Sequence, residues 1–398
     1  MKESRLWSKE YICICISSFF LFMTMYSLMT VLPLLVINEF SGSDQQAGLT
    51  MTMFLLGSVI CRPFSGKWID ELGRKKMLLI SLLLFSATSI MYIEVNSISS
   101  LLILRFIHGI SFALANTTLY TVVADLISEK RRGEGLGYFS TFMNLAMVIG
   151  PFLGLTMVAG GNFNSFFMAT AIFAVLSFLF GNIIRIPKPL VKRKVMKDEY
   201  KGLKRYFEPN VMTIALAGSF VAFAYAGVST FSSIYAKQIG VSEVAAYFFV
   251  SYAIMLILSR PFVGKLFDRS GANTVIYPAF FIFILGLVSL ALAKGPFMFL
   301  ISGAIIGVGN GTLFSSLQTI AVSICPENRR GVATSTYFMI YDTGMGVGSF
   351  ILGIIATHTN YHLMYFVSAL IVLISTLCYY ILFDRKINSI DNYTQLVD

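Results

Sequence analysis

Residues 62–73, RPFSGKWIDELG, return at 260–271 as RPFVGKLFDRSG, an offset of 198 residues (62 to 260) with seven of twelve positions identical. The same offset carries Glu129, Arg131, Arg132 and Gly133 onto Glu327, Arg329, Arg330 and Gly331. It carries Gly109 onto Gly307 and Gly150 onto Gly348. An unbroken offset across four separate segments means a duplicated unit of half the chain, so any fold must be two copies of one smaller architecture.

Both copies lie between long apolar runs. The chain has 398 residues, of which 56% are hydrophobic and 13% charged, with a mean hydropathy of +0.76. A water-soluble domain would leave too much of that apolar material on its surface. A hydrocarbon core needs about 20 apolar residues per helical crossing. Twelve runs meet that need, near 11–37, 46–61, 77–94, 101–124, 136–158, 163–184, 211–236, 244–259, 274–293, 297–324, 332–356 and 363–383. They are continuous rather than alternating in polarity, which predicts helices and not barrel strands. The expected fold is all-α and integral to the membrane, with twelve transmembrane helices in two pseudo-symmetric six-helix bundles. Parallel repeats of this kind are a transporter architecture, with the substrate path at the repeat interface.

The net charge of +10 reads as topology once the charges are located. Of 30 lysines and arginines, 27 fall on the N-terminus, the C-terminus and alternate connections. The remaining connections hold only Lys237 and Lys294, and Arg105 lies inside a run. The positive-inside rule then predicts a multi-pass protein of the cell membrane with both termini cytoplasmic, and no nucleic-acid partner. The expected domains are a first bundle at 1–185, a basic connector at 186–210 and a second bundle with a short tail at 211–398. The connector, IPKPLVKRKVMKDEYKGLKRYFEPN, has an amphipathic middle that could lie on the membrane surface. The first apolar run is too long for a signal peptide and reads as the first span. Cys13, Cys15, Cys61, Cys325 and Cys378 show no metal or disulfide spacing. Cys13 and Cys15 fall about 200° apart on a helix, so a shared metal is not expected. No Ser-His-Asp order, metal-ligand cluster or phosphate loop is visible, which excludes an enzyme and any cofactor.

The segment Gly66-Lys67-Trp68-Ile69-Asp70-Glu71-Leu72-Gly73-Arg74-Lys75 resembles the signature G-x-x-x-D-x-x-G-R-K/R of the major facilitator superfamily. The second copy keeps Gly264, Asp268 and Gly271 but has Ala272 and Asn273 in place of Arg-Lys. In physical terms, glycines tighten the turn and Asp70 can neutralise a helix N-terminus. Arg74 can pair with a carboxylate, and Asp125 ends span four on the same side. The resemblance implies a cytoplasmic latch in which Asp70 reaches span eleven and Arg74 bridges to Asp125.

Span four contains Arg105-Phe-Ile-His108-Gly109, similar to the family's R-x-x-Q-G with His108 in place of Gln. A lone arginine inside a span costs about 2.5–3.5 kcal/mol on insertion scales, so Arg105 should face a wet cavity or a partner, or else reach the outer headgroups. His108, one turn further, suits either proton handling or packing. Span five carries Gly137, then Ala146, Gly150-Pro151 and Gly154 at the spacing of the antiporter signature G-x8-G-x3-G-P-x2-G-G, departing from it at Ala146 and Leu155. That resemblance implies export rather than import.

One acid is not at a span end. Asp342 sits about ten residues into span eleven, in YFMIYDTGMGVG, and its counterpart by the offset is Asn144. A carboxylate there is costly unless used, and its charge can depend on which side the cavity opens. Asp342, Arg105 and His108 are therefore the proton-coupling candidates. Tyr26, Thr30, Asn116, Tyr138, Asn144, Tyr225, Asn310, Gln318 and Tyr341 are polar groups that could line the cavity. The expected function is proton-coupled export of small amphipathic, cationic or zwitterionic compounds, with protons and a small-molecule substrate as partners and a monomer in the bilayer. A dedicated metabolite or metallophore exporter is the alternative, and an uptake symporter for sugar or carboxylate a further one.

Overall fold

The computed structural model describes residues 7–127, 132–186, 207–325 and 330–385. Among them every long element is a helix. In the first unit these are α1 (Lys9–Asn38), α2 (Asp44–Leu72), α3 (Arg74–Met91), α4 (Ile98–Leu126), α5 (Arg132–Val158) and α6 (Phe163–Ile183). The second has α7 (Met212–Gln238), α8 (Ala245–Ser270), α9 (Asn273–Ala291), α10 (Pro296–Ser323), α11 (Arg330–His358) and α12 (Tyr361–Tyr379), the last running into one π turn at Tyr380–Asp384. All twelve are long and apolar enough to cross a membrane. The chain divides between Glu199 and Tyr200. Most of the connector, 187–206, lies outside the described residues, as do Glu129, Arg131, Glu327 and Arg329 of the repeat.

The helices follow from the solvent. Lipid offers no hydrogen bonds, so each span must close its own backbone. Where spans emerge, side chains take over the free amides. Ser8, Ser97, Asn162 and Asn360 each accept from a first-turn N–H. Ser43 and Gln46 form a reciprocal capping box.

The two units repeat each other helix for helix. In the first, α1 packs on α5 and α6, α4 on α2 and α3, and α3 on α6. In the second, α7 packs on α11 and α12, α10 on α8 and α9, and α9 on α12. Even the tightest junction is duplicated. A Cβ at Gly109 of α4 would collide with the Phe54 carbonyl of α2, and one at Gly307 of α10 with the Tyr252 carbonyl of α8. Both members of each pair are 198 residues apart. Ser177 of α6 donates to the Ser17 carbonyl of α1 at 2.8 Å, and its repeat partner Ser375 donates from α12 to the Ala217 carbonyl of α7 at 2.8 Å. Such small-residue contacts and interhelical hydrogen bonds hold helices together where lipid is as apolar as leucine. Ile103, Met168, Phe281 and Leu370 are exposed on the outsides of their units, as a lipid-facing surface requires.

The conserved-spacing segment 62–73 is not a loop. α2 continues through it to Leu72, eleven residues past its apolar run, and α8 continues to Ser270. The turns fall on Gly73 and Gly271, both at φ 84°, a left-handed backbone that glycine adopts without steric cost.

Candidate functional site

Gly66 and Asp70 lie in the last turns of α2, and Asp268 in the last turn of α8. The Asp70 and Asp268 side chains are outside the described set. Gly73 turns the chain so that Arg74 opens α3 beside the end of α4. There the Arg74 Nε lies 2.5 Å from the Asp125 Oδ2, with the two side chains 22% and 30% exposed. The structure thus brings together the pair expected from the sequence. Beside it is a contact that the sequence did not reveal. The Lys75 Nζ donates to the carbonyls of Gly181 (3.2 Å), Asn182 (2.6 Å) and Ile184 (2.7 Å). These belong to the C-terminal end of α6, where carbonyls lack helical partners and the dipole favours a cation.

The second unit solves the same problem with other chemistry. Asn273, the repeat counterpart of Lys75, donates through Nδ2 to the Asp384 Oδ1 at 2.7 Å. Tyr277 donates to the other carboxylate oxygen at 2.6 Å, and Tyr379 donates to the Asn273 Oδ1 at 2.6 Å. The end of α12 is therefore tied to the start of α9 by an exposed amide, a buried carboxylate and two phenols.

Within the first unit, α4 presents Arg105, His108, Phe112 and Asn116. Arg105 is fully buried and does not reach the outer surface of the unit. Its Nε donates to the Thr50 carbonyl at 3.0 Å, and its guanidinium carbon lies 4.2 Å over the Phe54 ring. Nη1 and Nη2 have no hydrogen-bond partner among the described residues. His108 is also fully buried, against the rings of Phe85, Phe54 and Tyr92. Its Nε2 is 3.2 Å from the Ser89 hydroxyl and its Nδ1 3.2 Å from the Tyr92 hydroxyl. Ser89 donates its proton to the Phe85 carbonyl at 2.7 Å. The set is satisfied when Nε2 donates to Ser89 and Nδ1 accepts from Tyr92.

On α5, Ala146 is fully buried and Gly137 lies within the first two turns. A Cβ at Gly150 would stand 3.1 Å from the Met23 carbonyl and 3.2 Å from the Ser27 nitrogen. Ser27 donates to the Gly150 carbonyl at 2.9 Å. A Cβ at Gly154 would meet Val31 at 3.0 Å. The Gly-Pro segment is therefore the seam between α5 and α1. Tyr26 is half-buried beside that seam, its ring 5.9 Å from Phe22. Asn144 lies on α5 two turns before Pro151, its side chain outside the described set. Asn116 is 9% exposed, and its Oδ1 has no partner among the described residues.

In the second unit Asp342 lies just before the middle of α11 and is partly exposed. Its neighbour Tyr341 is buried, edge-on to Phe314 at 5.2 Å and stacked on Tyr337 at 5.9 Å. A polar group not fully anticipated surrounds Tyr252 of α8. It accepts from the Asn310 Nδ2 at 2.9 Å and faces the Tyr225 ring at 5.9 Å. The repeat was the available signal, because Tyr252 occupies the place of Phe54. Among the described residues no group of His, Cys, Asp and Glu is arranged to hold a metal.

The profile of the Major Facilitator Superfamily matches residues 14–341 and, in a second alignment, 288–392. Multidrug resistance protein 2 of Bacillus subtilis is 27% identical over 288 residues, covering 69% of this chain and 71% of its own. The staphylopine export protein of Staphylococcus aureus is 20% identical over 347 residues, covering 85% of this chain and 87% of its own. Among solved structures, a bacterial homolog of the human lysosomal transporter Spinster superposes with a TM-score of 0.76 at 17% identity, covering 95% of this chain and 97% of that one. The nucleoside transporter NupG superposes with a TM-score of 0.70 at 16% identity, covering 94% and 99%. At those identities the structures establish the fold.

Proposed function

The chain belongs to the major facilitator superfamily, and from that premise we propose that it exports small amphipathic, cationic or zwitterionic compounds in exchange for protons, as a monomer in the cell membrane. It is a transporter of that superfamily and not an enzyme. The direction rests on the spacing of Gly137, Gly150, Pro151 and Gly154, which resembles the antiporter signature. The close seam of Gly150 and Gly154 on α1 is compatible with that reading. The multidrug-named relative supports the same direction.

Asp342 is the proposed proton carrier. It is partly exposed on a span, whereas both ring nitrogens of His108 are held inside a sealed aromatic pocket. Arg105 and His108 then act through the shape and field of the first unit. A proton arriving from outside neutralises Asp342 and releases a cationic substrate; loss of that proton to the cytoplasm restores the site. Tyr26, Asn116, Asn144 and Tyr341 are the residues proposed to contact the substrate. The Arg74–Asp125 pair, with Gly66, Asp70, Gly73 and Asp268, serves as the cytoplasmic latch of alternating access.

Inverted membrane vesicles test the proposal. An imposed gradient, acid inside, should drive labelled cationic substrate inward against its own gradient. Accumulation driven only by an alkaline interior would instead mean a symporter. A second reading, export of one zwitterionic metabolite, is favoured by the staphylopine exporter, which aligns over 85% of this chain. A single accepted substrate in a broad flux panel would select it.

A further inference from the structure

The middle of the second unit holds a hydrogen-bonded group that the proton cycle does not use. Asn310 of α10, Tyr252 of α8 and Tyr225 of α7 are 2%, 2% and 6% exposed. The Asn310 Nδ2 donates to Tyr252, and the Tyr225 ring lies 5.9 Å from the ring of the same phenol. The Asn310 Oδ1 is buried with no partner among the described residues. A buried acceptor left unmatched destabilises the unit, so packing alone does not account for it.

The repeat shows what packing alone demands. Phe54 stands at the place of Tyr252 and Phe112 at the place of Asn310, with ring centroids 5.3 Å apart over the same glycine junction. Two hydrocarbon rings satisfy the fold there. The second unit has replaced both with polar groups. The first unit carries its amide one turn later, at Asn116, where the second has Phe314. The Asn116 Oδ1 is likewise buried and unmatched. Phenylalanine and asparagine have thus exchanged places along the facing turns of α4 and α10, Phe112 then Asn116 against Asn310 then Phe314. Residues four apart share a helix face.

We propose that Asn310, held by Tyr252, selects substrates by accepting an N–H from a protonated amine through its Oδ1. The Phe314 ring, one turn along the same face, offers the cation an aromatic surface. This rests on the export reading above and narrows its substrate class to amines that carry an N–H when protonated, which excludes quaternary ammonium ions. Tyr252 is a positioning residue, since it fixes which end of the amide is turned toward the ligand.

The test uses the full chain in proteoliposomes with a proton gradient. Its probes are doxorubicin, which carries a primary ammonium, and the same molecule quaternised with three methyl groups. The readout is the ratio of their kcat/KM values. Asn310→Leu should lower that ratio about tenfold, the scale of one hydrogen bond to a charged group. Asn310→Asp, which keeps the acceptor, should hold or raise it. Tyr252→Phe should lower it about threefold, on the same principle of a lost orienting bond. It installs the residue the fold already tolerates at Phe54, so it carries the test if Asn310→Leu does not fold. Equal losses for both probes in Asn310→Leu, with the ratio unmoved, would overturn the proposal and leave export standing. A collapse of the ratio in Asn310→Asp would also overturn it, since the amide N–H would then be the recognising group. A wild-type protein that moves neither probe removes the reading as an exporter of amphipathic amines, and this proposal with it, and leaves only the single-metabolite reading.

Discussion

Asp342 stands where a carboxylate is tolerated only with a wet surface or a partner. Replacing it with asparagine keeps the shape and removes the titration. Asp342→Asn should abolish accumulation driven by a pH gradient while substrate-for-substrate exchange continues within about tenfold, because the group proposed to couple the fluxes is not needed for exchange alone. Counterflow and gradient-driven uptake in the same vesicles check this, and retained gradient-driven uptake removes Asp342 from the cycle. Lys75 has a different task. Its ammonium ties three carbonyls at the end of α6, partly in solvent. Lys75→Met should destabilise the unit by roughly 1–2 kcal/mol, and Lys75→Arg by less, read as thermal unfolding in detergent. The Arg74–Asp125 pair was legible because opposite charges at two span ends have few other partners. Lys75 was not, because its acceptors are backbone carbonyls, which leave no mark on residue identity. Tyr252 escaped notice for a similar reason: it differs from Phe54 by one hydroxyl inside an apolar run.

Helix identity came through the hydropathy plainly; helix ends did not. A hydropathy run reports contact with lipid, whereas a helix continues as long as its backbone bonds close. α2 therefore passes through Arg62, Lys67 and Asp70 and stops only where Gly73 takes a positive φ. How the helices cross was half legible. The offset pairing of Gly109 with Gly307 marked two positions that cannot bear a side chain, and the structure supplies the reason in the carbonyls of Phe54 and Tyr252. Gly109→Val and Gly307→Val should each cost roughly 1–3 kcal/mol or more, since a backbone carbonyl cannot turn aside as a side chain can. Gly264→Ala, where a Cβ meets nothing within 4 Å, should change stability by less than about 1 kcal/mol. Paired melting curves decide it. Equal sensitivity at all three sites would show that these glycines serve helix flexibility and not close approach.

For the whole molecule, the duplication and the placement of charge make separate statements, and only the first is structural. Matching helix pairs in the two units, with matching glycine and serine contacts, establish that one bundle was copied. They are silent on which side of the membrane the bundles face. That orientation rests on 27 of 30 basic residues lying on one set of connections and the termini. Because an even number of spans separates the ends of each unit, both units should share one orientation. The prediction is open to direct chemistry. Gly160 lies in the α5–α6 turn, exposed and with nothing within 4 Å of a Cβ, so a cysteine there should fold normally. A membrane-impermeant maleimide should label Gly160→Cys in intact cells, and label Lys192→Cys in the connector only after the membrane is opened. Cys13, Cys15, Cys61 and Cys325 are buried and should stay silent, and Cys378 can be replaced by serine as background. The reverse pattern would invert the protein. The proton path through Asp342 would then run the other way, and the same residues would describe an importer.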